Sequence, residues 1–145
     1  MQMYALKQRC GARPVAPVFA IAIMVMAVMM DGAGAGGSLD AYKWKSRVIA
    51  LFAQSADDPR LSEQDRIVAA MGQGAADRDI IVLKYTDAGS QNLRRQLGAP
   101  ADGFAAVLIG KDGGAKLVSR EPINAEKLAA TIDAMPMRKD EMRKR

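Results

Sequence analysis

Three uninterrupted apolar runs, at residues 48–53, 80–83 and 104–109, most constrain what this chain can fold into. A short apolar run without alternating polar residues is typical of a β-strand that is buried on both faces. The first two runs are separated by a segment of helical length, and this order predicts two parallel strands joined by a right-handed crossover. Both strands are expected to be central in the sheet or nearly so.

A helix is predicted between these two strands. Asp58 is a good capping residue, and Pro59 suits the first helical position because no intrahelical hydrogen bond uses that N–H. The apolar stripe at helical spacing consists of Leu61, Ile67, Val68, Met71 and Ala75. Gly72 and Gly74 are expected to end the helix, because glycine tolerates the backbone conformation that follows a last turn.

A shorter helix is predicted between the second and third runs. Ser90 can cap it, and Leu93 and Leu97 lie four residues apart on one face. Gly98 occupies the position where a left-handed C-terminal residue belongs. The two basic residues between the leucines are expected on the outer face. These are Arg94 and Arg95.

The third run leads into a β-hairpin, since turn residues at 111–114 separate it from a fourth strand at 115–119. Asn124 then caps a last helix that Pro136 ends. Its apolar positions are Leu128, Ile132 and Met135. The order β-α-β-α-β-β-α predicts an α/β fold, thioredoxin-like, with a mixed four-stranded sheet and helices on both faces. Its expected core includes Leu51, Val82, Leu108 and Ile132.

The first 35 residues are predicted to be a secretory signal. Basic residues precede an uncharged stretch at 15–30, and small residues follow it at 32–37, which is the order of a signal peptide. Ala33 and Ala35 fit the small-residue rule for cleavage, so the cut is expected after Ala35. An uncleaved membrane anchor is the alternative, because a long signal and a short anchor differ only by degree.

The rest of the chain is divided by composition. Residues 36–45 are predicted to be a linker, residues 46–136 the thioredoxin-like domain, and residues 137–145 a basic tail that extends into solvent. Export predicts a periplasmic or secreted protein; the alternative is a protein anchored by its N-terminal segment. Membrane contact is expected only through an uncleaved leader.

Charge and residue usage exclude several functions. The net charge of +5 comes largely from the leader and the tail, so the folded middle is nearly neutral and no nucleic-acid partner is expected. The single cysteine, Cys10, lies in the leader, and the chain has no histidine. Thiol-dependent redox chemistry is therefore excluded for the exported domain, and no catalytic residue, metal site or cofactor is predicted.

Four segments carry a resemblance to a known family, at residues 42–47, 55–60, 110–114 and 132–138. They resemble the bacterial family called domain of unknown function 4174. The resemblance implies a thioredoxin-like fold and a relation to extracellular domains of sushi-repeat-type matrix proteins. It supplies no activity and no catalytic residue. Compared with thioredoxins, residues 57–60 stand where a C-x-x-C motif is expected.

Asp57, Asp58 and Arg60 form the candidate site, in a loop at a helix N-terminus whose dipole favours anions. The alternative interpretation is structural, with Asp58 as the cap, Asp57 on the helix dipole and Arg60 solvated. Trp44 and Tyr42, among basic residues, either stack on a ligand or pack an amphipathic edge.

The sequence thus favours an exported, non-catalytic interaction domain that meets an unknown protein or envelope component. The contact is expected through the loop side of the first strand or the basic tail. Two alternatives stay open: an antioxidant or peroxiredoxin-like enzyme with a non-thiol site, and a membrane-anchored envelope protein.

Overall fold

The structure, a computed structural model, describes residues 38–144. The predicted leader and the cleavage position at Ala35 lie outside these residues. Four strands form one sheet: β1 (Arg47–Phe52), β2 (Ile80–Tyr85), β3 (Ala105–Ile109) and β4 (Ala115–Ser119). Their order is β2-β1-β3-β4, with β1 parallel to β2 and β3 antiparallel to both β1 and β4. The predicted mixed sheet of an α/β, thioredoxin-like fold is confirmed.

The two parallel strands differ in position. β1 has a strand on each side, and all six of its residues are buried, as predicted. β2 lies at the edge of the sheet and its first four residues are only half-buried, so the expectation of a central strand is wrong for β2. An apolar run also suits an edge strand when helices cover both of its faces.

Helices cover both faces of the sheet, as predicted. The helices in this part of the chain are α1 (Pro59–Met71), α2 (Gln73–Ala76), α3 (Gln91–Gln96), α4 (Ala125–Asp133) and α5 (Pro136–Arg143). α1 and α4 pack on one face, over a core that includes Leu51, Leu108 and Ile132. α3 and a 3-10 turn at Leu39–Tyr42 pack on the other face, over a core that includes Phe52 and Val107. Val82 packs against the first core but is only half-buried, because it lies on the edge strand.

Two of the three predicted side-chain caps are confirmed, whereas Ser90 precedes α3 without a capping hydrogen bond because its Oγ donates to the Asp87 carbonyl at 2.7 Å. The carboxylate of Asp58 accepts a hydrogen bond from the Arg60 N–H, and the side chain of Asn124 accepts one from the Lys127 N–H. Gly72 ends α1 with a φ of 51°, whereas Gly74 lies within α2. The predicted hairpin is confirmed: the Gly110 N–H donates to the Gly114 carbonyl at 2.9 Å, and β3 pairs with β4.

The C-terminal segment differs from its prediction. α4 stops at Asp133, but Pro136 then occupies the start of α5, where a proline fits the first turn. Arg138 on α5 is buried, and its Nη1 donates to the Asp77 carbonyl at 2.7 Å. The prediction of a solvated extension at 137–145 is therefore wrong for α5, because Arg138 and Glu141 bind to the domain, although Lys139, Asp140 and Arg143 are exposed.

The predicted linker also contributes to the fold where the structure describes it. Leu39 and Tyr42 pack against the second core, so residues 39–42 belong to the packed domain. Within residues 38–144, none of the helices has the length and apolar character needed to cross a bilayer.

Candidate functional site

The loop between β1 and α1 brings the three predicted site residues together. Arg60 donates from Nε to Asp58 Oδ1 at 2.9 Å and from Nη2 to Asp58 Oδ2 at 2.6 Å. Its guanidinium also lies 4.9 Å from the centre of the Phe104 ring. The hydrogen bond from the Arg60 side chain is the main reason why the pKa of Asp58 lies below its usual value, and burial opposes it.

These contacts leave little free chemistry at the α1 N-terminus. Both carboxylate oxygens of Asp58 accept hydrogen bonds from Arg60. Asp57 is exposed, and its backbone N–H donates to Ser55 Oγ at 3.2 Å. The structural interpretation is therefore correct for Asp58, which caps α1. Arg60 is partly exposed to solvent but also forms hydrogen bonds with Asp58. A functional role for the three residues stays a prediction.

A groove of about 510 Å³ lies on the face of the sheet that carries α3. Leu39, Leu93 and Leu97 supply apolar surface, and Lys43 is the basic residue among those that line it. The remaining lining residues are Ser38, Asp40, Tyr85, Asp87, Gly89, Ser90, Gln96, Asp112 and Gly113. The groove therefore combines apolar walls with three carboxylates and one ammonium group. Sequence reasoning missed it because its residues come from four separate segments.

Tyr85 ends β2 and lines this groove. Its ring stacks on Phe52 with 5.2 Å between ring centres. The hydroxyl oxygen is buried and has no hydrogen-bond partner within residues 38–144. Burial raises the pKa of Tyr85, and nearby Tyr42 adds to the effect. A buried hydroxyl without a partner costs about 1–3 kcal/mol.

The carboxylates of the groove differ in their partners. Asp112 pairs with Lys116 at 2.6 Å, which lowers the pKa of Asp112 against the opposing effect of burial. Asp40 accepts a hydrogen bond from Ser38 Oγ at 3.0 Å. Within the described part of the chain, no residue pairs with the carboxylate of Asp87. The groove therefore offers an unpaired negative charge to a bound group.

Arg94 supports the loop beside this face and corrects a prediction. It was expected on the outer face of its helix, yet it is 2% exposed. Its Nη1 donates to the Pro100 carbonyl at 2.6 Å and its Nη2 to the Gly103 carbonyl at 2.8 Å, while the guanidinium lies 5.1 Å from the Phe52 ring centre. Arg94 thus holds the loop that leads into β3. Arg95 is exposed, as predicted.

A second polar cluster lies at the end of the sheet where β1 begins. Lys111 Nζ is 2.8 Å from both Asp79 and Glu141, and Arg78 pairs with Asp133 at 2.6 Å. Each of these acidic residues has a basic partner, and the pair of Lys111 with Glu141 attaches α5 to the turn that follows β3. No group of histidine, cysteine or acidic side chains within residues 38–144 is arranged to hold a metal ion.

Comparison with known proteins identifies one relationship. The family model described as a domain of unknown function, DUF4174, matches residues 38–141. No curated protein matches the chain.

Proposed function

The chain belongs to the DUF4174 family, and from this premise we propose that it is an exported, non-catalytic interaction domain that binds a partner in the groove beside α3. The partner is a protein segment that carries a lysine or arginine next to apolar side chains. It contacts Leu93 and Leu97 with its apolar part and Asp87 with its charge.

The observation that carries this proposal is a pair of polar groups along one groove that have no partner within residues 38–144: an exposed carboxylate and a buried hydroxyl. Asp87 has no partner in the described residues, and the buried hydroxyl of Tyr85 lacks one as well. A cationic donor that reaches Asp87 forms a charge-assisted hydrogen bond, which is stronger than a neutral one. The apolar residues of the groove add the area that a short bound segment needs.

The contacts at the N-terminus of α1 support a binding function over a catalytic one. The positions that we match to a thioredoxin motif hold Asp57 and Arg60, and Arg60 donates hydrogen bonds to Asp58. A nucleophile or proton-transfer group must reach substrate with a free atom, and neither Asp58 oxygen is free. We therefore propose a thioredoxin-like scaffold that lacks the thiol chemistry of thioredoxins.

Site-specific photo-crosslinking in intact cells tests the proposal. A photo-reactive residue at Gln96, which is exposed and lines the groove, is expected to capture a partner, and the same residue at Glu63 on α1 is not. Asp87→Lys in the Gln96 variant should abolish capture because it repels a cationic segment. Capture that is equal at both positions, or unaffected by Asp87→Lys, would contradict the groove as the binding site.

Two further measurements test the remaining parts of the proposal. Mass spectrometry of the exported protein should place its N-terminus between residues 33 and 37, and recovery of Met1 or Cys10 would contradict cleavage. A peroxidase assay on the same material should show no turnover. Turnover that survives purification would favour the antioxidant alternative.

A further inference from the structure

Trp44 occupies an unusual position for a large apolar side chain. It is the only tryptophan of the protein, and it is 64% exposed. Its backbone has a φ of 66°, in the left-handed region that favours glycine. Because this backbone conformation costs free energy for a residue other than glycine, the surrounding structure must hold Trp44 in it.

Backbone hydrogen bonds enforce the conformation of this turn. The Trp44 N–H donates to the Lys111 carbonyl at 2.6 Å. The Tyr42 carbonyl accepts from the N–H groups of Lys45 at 3.0 Å and Ser46 at 2.9 Å. The indole is therefore presented to solvent by a fixed turn, which lowers the entropy that it loses when it binds.

Exposed basic residues lie on both sides of Trp44 in the chain and on α5, at the same end of the sheet. Lys43 and Lys45 flank Trp44 and are exposed. α5 reaches the same end, because Lys111, whose carbonyl binds Trp44, pairs with Glu141 of α5. α5 adds Lys139, Lys144 and the exposed Met142. None of these four lysines has an ion-pair partner in the described residues.

We propose that this surface, defined as Trp44, Lys43, Lys45 and the exposed side of α5, binds an anionic phospholipid bilayer. Tryptophan is enriched at membrane interfaces, where its apolar ring and polar N–H fit the headgroup region. Lysines attract the phosphates of anionic lipids.

A bilayer fits the surface better than a protein partner does. The centre of a protein interface is depleted of charged residues, whereas here the exposed tryptophan has an exposed lysine on each side in the chain. Binding at a membrane interface uses an apolar side chain that enters the headgroup region together with nearby basic residues that attract anionic lipids. This surface is separate from the groove beside α3, and Lys43 is the residue that the two have in common.

The experiment uses the exported protein and vesicles of phosphatidylcholine, alone or in an equimolar mixture with phosphatidylglycerol. We expect co-sedimentation with the anionic vesicles, a blue shift of the tryptophan emission and release by salt. Equal binding to both vesicles, or an emission spectrum that does not move, would overturn the proposal. The emission shift reports on Trp44 alone, because the protein has no other tryptophan, while co-sedimentation reports on binding of the whole protein.

Variants separate the surface from the fold. Trp44→Gly suits a φ of 66°, so its thermal midpoint should equal or exceed that of the parent, while vesicle partitioning falls about tenfold or more. Lys45→Glu with Lys139→Glu should weaken partitioning by more than about 25-fold, since each lysine supplies about a factor of five. Trp44→Gly that partitions like the parent would overturn the proposal.

A matched control carries the same charge change on another face. Arg66 on α1 and Lys127 on α4 are both exposed. Arg66→Glu with Lys127→Glu should keep most of the vesicle binding, because these residues lie on α1 and α4 and are not part of the proposed surface. An equal loss in this control would show that net charge alone governs binding, which contradicts a defined surface.

Discussion

The guanidinium of Arg47 and the carboxylate of Glu141 join the first strand to the last helix, with Arg47 Nη2 at 3.3 Å from Glu141 Oε2. Arg47 is 1% exposed, and its Nη1 also donates to the Arg78 carbonyl at 2.9 Å. Burying a guanidinium is costly unless a carboxylate and further acceptors compensate for its lost hydration. α5 therefore supplies the charge that allows Arg47 to lie inside the domain.

The first prediction concerns this pair. Glu141→Gln should lower the free energy of unfolding by about 1–3 kcal/mol, because it leaves the buried Arg47 charge without its counter-ion. Urea unfolding measures the change. Asp140→Asn is the matched control: Asp140 pairs with Arg143 on the exposed side of the same helix, so its loss should cost less than about 0.5 kcal/mol. Equal effects of the two variants would contradict a stabilising role for the buried pair.

Much of the fold could be predicted from local sequence. The buried strand β1, the Asp58 and Asn124 caps and the hairpin at 111–114 each follow from a few adjacent residues. Periodicity also separates helix from strand without knowledge of distant contacts. These elements, taken in chain order, are sufficient to give the mixed sheet.

The features that were missed depend on distant parts of the chain. Arg94 is buried because the carbonyls of Pro100 and Gly103 accept its hydrogen bonds, and Arg47 is buried because Glu141 reaches it across the domain. Helical spacing places Arg94 beside Arg95 but does not reveal such acceptors. The groove was missed for the same reason, since no short motif contains both Tyr85 and Asp87 together with Leu39.

The second prediction uses the neighbouring arginines of α3. Arg94→Lys should destabilise the protein by about 1–3 kcal/mol, because a lysine cannot replace the fork that bonds to two carbonyls. Arg95→Lys should change the free energy of unfolding by less than about 0.5 kcal/mol, as expected for an exposed residue. Thermal and urea unfolding of both variants provide the comparison. Similar values for the two would mean that the Arg94 hydrogen bonds contribute nothing net.

The third prediction compares two positions of the apolar core. Leu51→Ala should cost about 2–5 kcal/mol, because Leu51 is fully buried on the central strand and its loss leaves a cavity. Val82→Ala should cost only about 0.5–1.5 kcal/mol, because the edge strand leaves Val82 half-exposed and fewer methyl groups are lost. A larger loss for Val82→Ala than for Leu51→Ala would contradict the strand order.

The last prediction concerns acid stability. Hydrogen bonds from Arg78, with a smaller contribution from Arg138, hold the pKa of Asp133 below its unfolded value of 3.8 against the effect of burial. Burial alone would raise the pKa of Glu141, but Lys111 and Arg47 outweigh it and keep that pKa below 4.5. A carboxyl group with a lowered folded pKa binds fewer protons in the folded state, so its contribution is present above the unfolded pKa and is lost as pH falls.

The free energy of unfolding should therefore stay nearly level from neutral pH to about pH 5 and decline as the pH falls further through the lowered pKa values. Urea unfolding across this range measures the slope. Asp133→Asn should flatten the decline, because it removes one of the groups that bind protons on unfolding. Val82→Ala is the control: it lowers stability at every pH and leaves the slope unchanged, since it alters no titrating group. A decline that keeps its full slope in Asp133→Asn would show that the ion pairs of Asp133 do not stabilise the folded state.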